Sequence, residues 1–516
     1  MKKHLFKSTL VVSACTGLSR VFGLVRDVVF ASLFGAGPGM DAFIVAFRIP
    51  NFLRRLFAEG GFSQAFIPIL AEYKEQRDKA AVQALLDQTT ASLGLTLLIT
   101  TIVGMIIAPV VVSVFALGWV YDADQQKFDL AVEMLRITFP YLLFISLTGL
   151  AGGILNTYRQ FAVPAFTPVI LNIVMIACAL WLAPGFPEEK RIVALAWGVF
   201  IAGVMQLVFQ LPFLLRLGLL PVPRRHADRA GVRRIFKLLI PVLFAVSVTQ
   251  INLLVDTLIA SFLVTGSISW LYYSDRLVEF PLGVFGLALA TVILPGLSAH
   301  HSNAAQEDYV KTLDWALRWV VVVALPAAFG LALLARPILT TLFQYREFSA
   351  YDVEMASFSL MAFAAGLPAF ILIKVLATGF FARQDTATPV KIGVIAMLSN
   401  IVLNLLLMGP LLHAGLALAT SLSAYLNAGL LYYRLRQLQH YQPQTGWGGY
   451  CLKLGAALVV MTIVLLRYLP APELWNEWGL LTRAWQLLFW VSAGAVVYWL
   501  VILIAGIRLR EMMVHP

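Results

Sequence analysis

The chain has 516 residues, 60% of them hydrophobic and 13% charged, and a formal net charge of +11. A soluble domain is about 25% charged, and no single core could hide this much apolar surface, so the bilayer must act as solvent. The apolar runs are continuous, which excludes the alternating strands of a β-barrel, and in a membrane chain the positive excess fits basic inside loops rather than nucleic acid.

In chain order, about fourteen segments of spanning length are predicted. They cover 8–34, 41–70, 84–117, 129–155, 163–184, 191–217, 236–264, 269–298, 312–335, 351–382, 389–409, 413–435, 450–469 and 483–507. The start, "MKKHLFKSTLVVSACTG", mimics a lipoprotein signal ending at Cys15, but its apolar stretch is short and Arg20 follows closely, so an uncleaved first helix is expected. Connections are short and polar, such as "GAGPGMD" and "RQDTATP", with no room for a soluble domain. Lys and Arg gather in "MKKHLFK", "EYKEQRDK", "PVPRRHADRAGVRR", "YYRLRQ" and "RLRE", whereas "YDADQQKFD" is mixed. The positive-inside rule then places both termini in the cytoplasm, as an even number of spans requires. The three cysteines and seven histidines are scattered and form no metal or disulfide pattern.

Ionisable groups inside spans are costly and usually face a bundle interior or a wet cavity. The first span carries Arg20, Arg26 and Asp27, the second Asp41, Arg48, Arg54, Arg55 and Glu59, and the eighth Asp275, Arg276 and Glu279. Asp41, Arg48 and Arg55 recur every seven residues, Glu59 lies one turn beyond Arg55, and Arg20 and Asp27 share the same spacing. Arg54 and Arg26 fall off these stripes. Arg55–Glu59 and Arg276–Glu279 have ion-pair spacing, and a single arginine near a helix end can snorkel. As a set, however, the arginines outnumber the nearby carboxylates. Surplus guanidinium groups suit an anion with several oxygens, above all a phosphate or pyrophosphate.

A second constellation comprises Asp256 in the seventh span, Asn400 and Asn404 in the eleventh and Thr420 in the twelfth, with Lys374 alone in the tenth. Their oxygens could hold a monovalent cation; interhelical hydrogen bonding is the commoner use of Asn and Thr in membranes. Residues 48–68 and 276–295 echo each other, each beginning with Arg and ending at a proline-containing exit, as half-to-half repeats do in transporters. No Walker loop, HExxH or GxSxG motif is present, so an enzyme is the weaker class and no cofactor is expected.

The stretches "SRVFGLVRD", "DAFIVAFRIPNFLRRLFAEGGFSQAFIPILAEY" and "YYSDRLVEFPLGVFGLALATVILP" closely resemble the MurJ (MviN) family of bacterial lipid II flippases, in the multidrug/oligosaccharidyl-lipid/polysaccharide (MOP) exporter superfamily. The likeness runs along essentially the whole chain. It implies an all-α polytopic protein of the inner membrane, with two pseudo-symmetric six-helix lobes, 1–220 and 221–440, around a central cavity. Two further helices, 441–516, would form a groove for the lipid tail. The cargo would be lipid II, an undecaprenyl-pyrophosphate-linked disaccharide-pentapeptide, carried to the periplasmic leaflet for peptidoglycan synthesis. Membrane lipids and peptidoglycan-synthesis proteins are the candidate partners. The family's important arginines match Arg20, Arg26, Arg54 and Arg276, with Ser19 and Asn51 beside them and Arg48 and Arg55 on the same helix. Asp41 and Glu59, with Asp27, match acidic gate and cavity positions. Ion-coupled members would use Na+ or H+ near Asp256, Asn400, Asn404 and Thr420; the membrane potential is the other candidate drive. A flippase for another polyprenyl-linked glycan, or a cation-coupled drug exporter, is the alternative reading.

Overall fold

The computed structural model describes residues 2–55, 61–224, 230–286, the positions 289, 293 and 297, and 306–507. Among these residues there is no strand; the chain divides into two compact units, 1–269 and 270–516.

In the first unit, α1 (Lys2–Phe34) ends at Gly35, whose φ of +63° suits a residue without Cβ. Pro38 then opens α2 (Pro38–Arg54), where its missing N–H costs nothing. There follow α3 (Gly61–Gln76), α4 (Lys79–Ile106), the short α5 (Ala108–Phe115) and α6 (Leu117–Tyr121), α7 (Gln125–Thr138), α8 (Tyr141–Thr157), α9 (Ala162–Ala177), α10 (Val193–Leu217) and α11 (Ala230–Ala260). Asp78 starts α4 by accepting the Ala81 N–H at 3.0 Å, and Gly218, φ +62°, closes α10. Helix α1 packs along α9, α2 along α7, α3 along α11, and α10 against α8 and α9. Small residues allow this closeness, because a Cβ on Gly203 would lie 2.7 Å from the Tyr141 ring.

The connections of this unit sort to two ends. At one, Lys74 donates to the Thr157 carbonyl (2.9 Å), Gln83 to the Leu220 carbonyl (2.9 Å), and Arg234 pairs with Glu72 (2.8 Å). At the other, Asp41 meets Gly266, Lys127 meets Thr265, and Lys190 pairs with Glu133 at 2.9 Å. Successive spans therefore cross in alternate directions.

The second unit holds α12 (Ser267–Pro281, from Trp270 onward), α13 (Gln306–Leu333), α14 (Ala335–Phe343), α15 (Ala350–Phe381), α16 (Ala387–Gln437), α17 (Trp447–Tyr468), α18 (Pro472–Glu477) and α19 (Leu480–Ile504). A Ser349–Asp352 capping box starts α15. The range α16 holds two helical arms that meet at a kink: Leu412 (φ 49°, ψ −132°), just after Pro410, is non-helical and separates them where the expected spans 389–409 and 413–435 part. Helices α17 and α19 pair and rest on α13, with the Tyr498 hydroxyl donating to the Val322 carbonyl at 2.9 Å.

Two buried charges fasten this unit. Asp314 accepts from the Tyr441 hydroxyl (2.6 Å), the Trp447 indole (2.8 Å) and the Gln444 N–H (3.2 Å), and pairs with Arg318 at 2.8 Å. Arg483 donates to the carbonyls of Trp475, Asn476, Thr340 and Gln344 at 2.7–3.3 Å. Each buried charge is thus compensated by several hydrogen bonds.

Among the described residues, nine helical stretches are long and apolar enough to cross a membrane, one of them the double-length α16. The remaining expected spans, 8–34, 41–70, 236–264 and 269–298, fall on α1, α2–α3, α11 and α12, where the intramembrane charges sit. Together they account for the expected total.

Candidate functional site

The arginine-bearing helices place their charges differently. Arg26 is buried on α1 and donates through Nε and NH2 to Asp27 at 3.0 and 2.7 Å. Its NH1 reaches Asn172 Oδ1 on α9 at 3.0 Å, and Asn172 Nδ2 returns a bond to the Ser19 carbonyl at 3.1 Å. The guanidinium also lies 5.6 Å from the Phe30 ring centre. Heptad spacing set Asp27 with Arg20 and Arg26 off their stripe. The long arginine stem instead swings the Arg26 guanidinium round to its neighbour. Arg20 and Ser19 are half-buried one to two turns earlier.

On α2, Asp41 is 2% exposed and faces the turn that opens α12. It accepts from the Gly266 N–H (2.7 Å), the Ser269 N–H (2.9 Å) and the Ser269 hydroxyl (2.6 Å), all within the first unit. A carboxylate here offsets the positive end of the helix. Arg48 is half-buried and donates to Thr257 Oγ1 on α11. Further along, Arg54 Nε donates to Asn51 Oδ1 at 2.9 Å, and Arg55 is half-buried at the helix end. Glu59 lies outside the described residues. In the second unit, Arg276 pairs with Glu279 at 2.7 Å, as the spacing predicted, and sits 5.0 Å from the Tyr272 ring centre.

The second constellation is brought together in part. Asn404 Nδ2 donates to Asn400 Oδ1 at 3.0 Å, and Asn400 Nδ2 to Thr420 Oγ1 at 3.3 Å, across the corner of α16. This chain links the two arms of the bent helix, the use such amides commonly have in membranes. Asp256, on α11 of the first unit, takes a 3.4 Å bond from Asn252, and Lys374 is exposed on α15.

Asn172, Thr257, Gly266 and Ser269 were not singled out from the sequence. Each is an ordinary small or amide residue, and each meets its charged partner across 146 to 228 positions of chain. A single sequence carries no signal for such pairings.

The all-α fold and the run of charged spans define a class: a multi-pass membrane transporter rather than a catalyst. A family description, "Lipid II flippase MurJ", matches residues 30–489. A probable lipid II flippase MurJ from Vibrio cholerae is 49% identical over 99% of this chain and 98% of its own. A lipid II flippase MurJ from Burkholderia cenocepacia is 46% identical over 89% of both chains. A solved lipid II flippase MurJ, in an inward closed conformation, superposes with a TM-score of 0.80 at 26% identity, covering 98% of this chain and all of that one. An inward-facing MATE family transporter of the MOP superfamily shares the fold, with a TM-score of 0.66 at 15% identity over 84% of this chain and 98% of that one. The chain belongs to the lipid II flippase MurJ family.

Proposed function

We propose that this protein moves lipid II from the cytoplasmic to the periplasmic leaflet of the inner membrane by alternating access, supplying peptidoglycan synthesis. Membership of the flippase family over nearly the full chain carries this reading. Unaided crossing would drag pyrophosphate, sugars and peptide through hydrocarbon, at a cost of several kcal/mol per unsatisfied polar group. Half-buried arginines within spans are the groups that receive such an anion.

Arg20, Arg48, Arg54 and Arg55, with Ser19 and Asn51, would bind the pyrophosphate from α1 and α2, and Arg276 carries the same chemistry on α12. Arg26 would act with Asp27 by holding α1 to α9. Asp41, with Glu59, serves as a gate carboxylate. The six-helix lobes 1–220 and 221–440 would house the polar headgroup, and the pair in 441–516 the lipid tail. Both termini would lie in the cytoplasm, on the side of the basic connections.

The membrane potential would supply direction: one charge moved through 100 mV is worth about 2.3 kcal/mol. Na+ or H+ coupling through Asp256 is the competing drive, because that carboxylate lies within a span while Asn400, Asn404 and Thr420 bond to one another.

Arg54→Ala and Arg276→Ala should each abolish growth of a flippase-depleted strain and leave lipid II confined to the inner leaflet in an accessibility assay. Normal growth at native expression would overturn the assignment. Collapsing the potential and each ion gradient separately in the same assay identifies the drive.

A further inference from the structure

The turn from Ser261 to Gly266, between α11 and α12, is gripped at three points by other elements of the first unit. The Gly118 N–H donates to Ser261 Oγ at 2.9 Å, and a Cβ on Gly118 would stand 2.3 Å from the Ser261 carbonyl oxygen, so only glycine permits the approach. Asp41 receives the Gly266 and Ser269 N–H groups. Between these two grips stands Lys127, 6% exposed, a burial that lysine seldom has unless paired. Its ammonium donates to Thr265 Oγ1 at 3.0 Å and pairs with Asp124 Oδ2 at 2.8 Å. It also lies 5.4 Å from the ring centre of the buried Trp119. Asp124 is itself anchored, accepting the Lys127 N–H at the start of α7.

Thr265 is the residue before Gly266, whose φ is +97°. Glycine takes that conformation and others at similar cost, so its neighbours decide which one it holds. An ammonium that fixes Thr265 therefore fixes the N–H that Asp41 receives.

We propose that Lys127 is a positioning residue for the Asp41 gate: by tying Thr265 to Asp124 it holds the 261–266 turn in register with the Asp41 carboxylate. This rests on the reading of Asp41 as a gate group. A purely structural filler could be apolar, since replacing a buried ion pair by well-packed apolar residues is often neutral. A charge at this point can instead release and re-form its bonds as the turn moves.

The test compares Lys127→Met and Lys127→Arg in the lipid II leaflet-accessibility assay, alone and combined with Ser269→Ala. Lys127→Met should slow transport about tenfold, the scale of one lost charge-assisted bond. Lys127→Arg should restore it, and Ser269→Ala should cost much less in the Met background than alone. A Val264→Cys reporter, on the exposed part of the turn, should react several-fold faster with maleimide in the Met background. Effects of Lys127→Met and Ser269→Ala that simply multiply, or an unchanged Val264→Cys labelling rate, would overturn the proposal. Should Asp41→Asn and Ser269→Ala transport normally, the gate reading itself fails; should they be impaired while Lys127→Met is normal, only the role of Lys127 fails.

Discussion

Arg26 shows why a charged residue inside a span must be judged by its neighbours. Three of its bonds are spent on Asp27 and Asn172, and Asn172 in turn holds the Ser19 carbonyl, so the group works as a rivet between α1 and α9. Asn172→Ala should leave a buried guanidinium N–H and a carbonyl without that partner, destabilising the protein by about 1–3 kcal/mol. Asn172→Asp keeps an acceptor for Arg26 and gives up only the bond to Ser19, so its melting temperature should fall between those of wild type and Asn172→Ala. Thermal unfolding of the detergent-purified variants checks the order; equal melting temperatures would remove Arg26 from this role. Which residues bear charge was plain in the sequence. Which of them are spent structurally was not, because Asn172 lies 146 positions from Arg26. Asp314 and Arg483 make the same point. Both are buried like Asp41, yet Asp314 is spent on the stretch leading into α17, and Arg483 on α18 and the end of α14.

Among elements, α16 breaks where the local signals place a break, at Pro410–Leu412. The expected spans end at 409 and resume at 413, and Gly409 and Pro410 stand at that gap. The chain turns a corner there between two helical arms, and the corner is tight: a Cβ on Gly415 would lie 2.3 Å from the Leu407 carbonyl oxygen. Leu412 sits at φ 49°, ψ −132°, a sparsely populated conformation that favours glycine and costs other residues roughly 1–3 kcal/mol. Gly415→Ala should therefore destabilise by about 1–3 kcal/mol, the usual penalty for overpacking. Leu412→Gly should be neutral or stabilising, because relief of the backbone conformation offsets the added unfolded-state entropy of about 0.5–1 kcal/mol. In a regular helix the same change would destabilise, so a lower melting temperature for Leu412→Gly would show that the corner is not held as described. Helix starts depend on nearer neighbours. Asp78, Asp124 and Ser349 cap α4, α7 and α15 with bonds that local sequence alone can encode.

For the whole molecule, crossing direction follows from connections that meet. In the first unit, the stretches around Lys74, Thr157, Leu220 and Arg234 share one end, where Lys74, Arg77 and Lys79 line a cavity of about 300 Å³ with Tyr158. The stretches around Asp41, Tyr121, Lys127, Lys190 and Gly266 share the other. In the second unit, Tyr309 meets Arg383 at 4.4 Å and Asp314 meets Tyr441, whereas Arg483 joins Thr340 and Gln344. These pairings agree with the alternation read from apolar spacing. The basic cavity lies at the end that the positive-inside rule assigns to the cytoplasm. The assignment can be tested in a background with Cys15, Cys178 and Cys451 replaced, because all three are free thiols. Tyr121→Cys and Glu473→Cys, both at exposed positions, should react with a membrane-impermeant maleimide applied to the periplasmic face of intact cells. Arg77→Cys and Gln384→Cys, equally exposed, should react only after the inner membrane is permeabilised. The reverse pattern would invert the protein and place its termini outside; labelling that separated Tyr121→Cys from Glu473→Cys would break the crossing order on which two inward-facing termini depend.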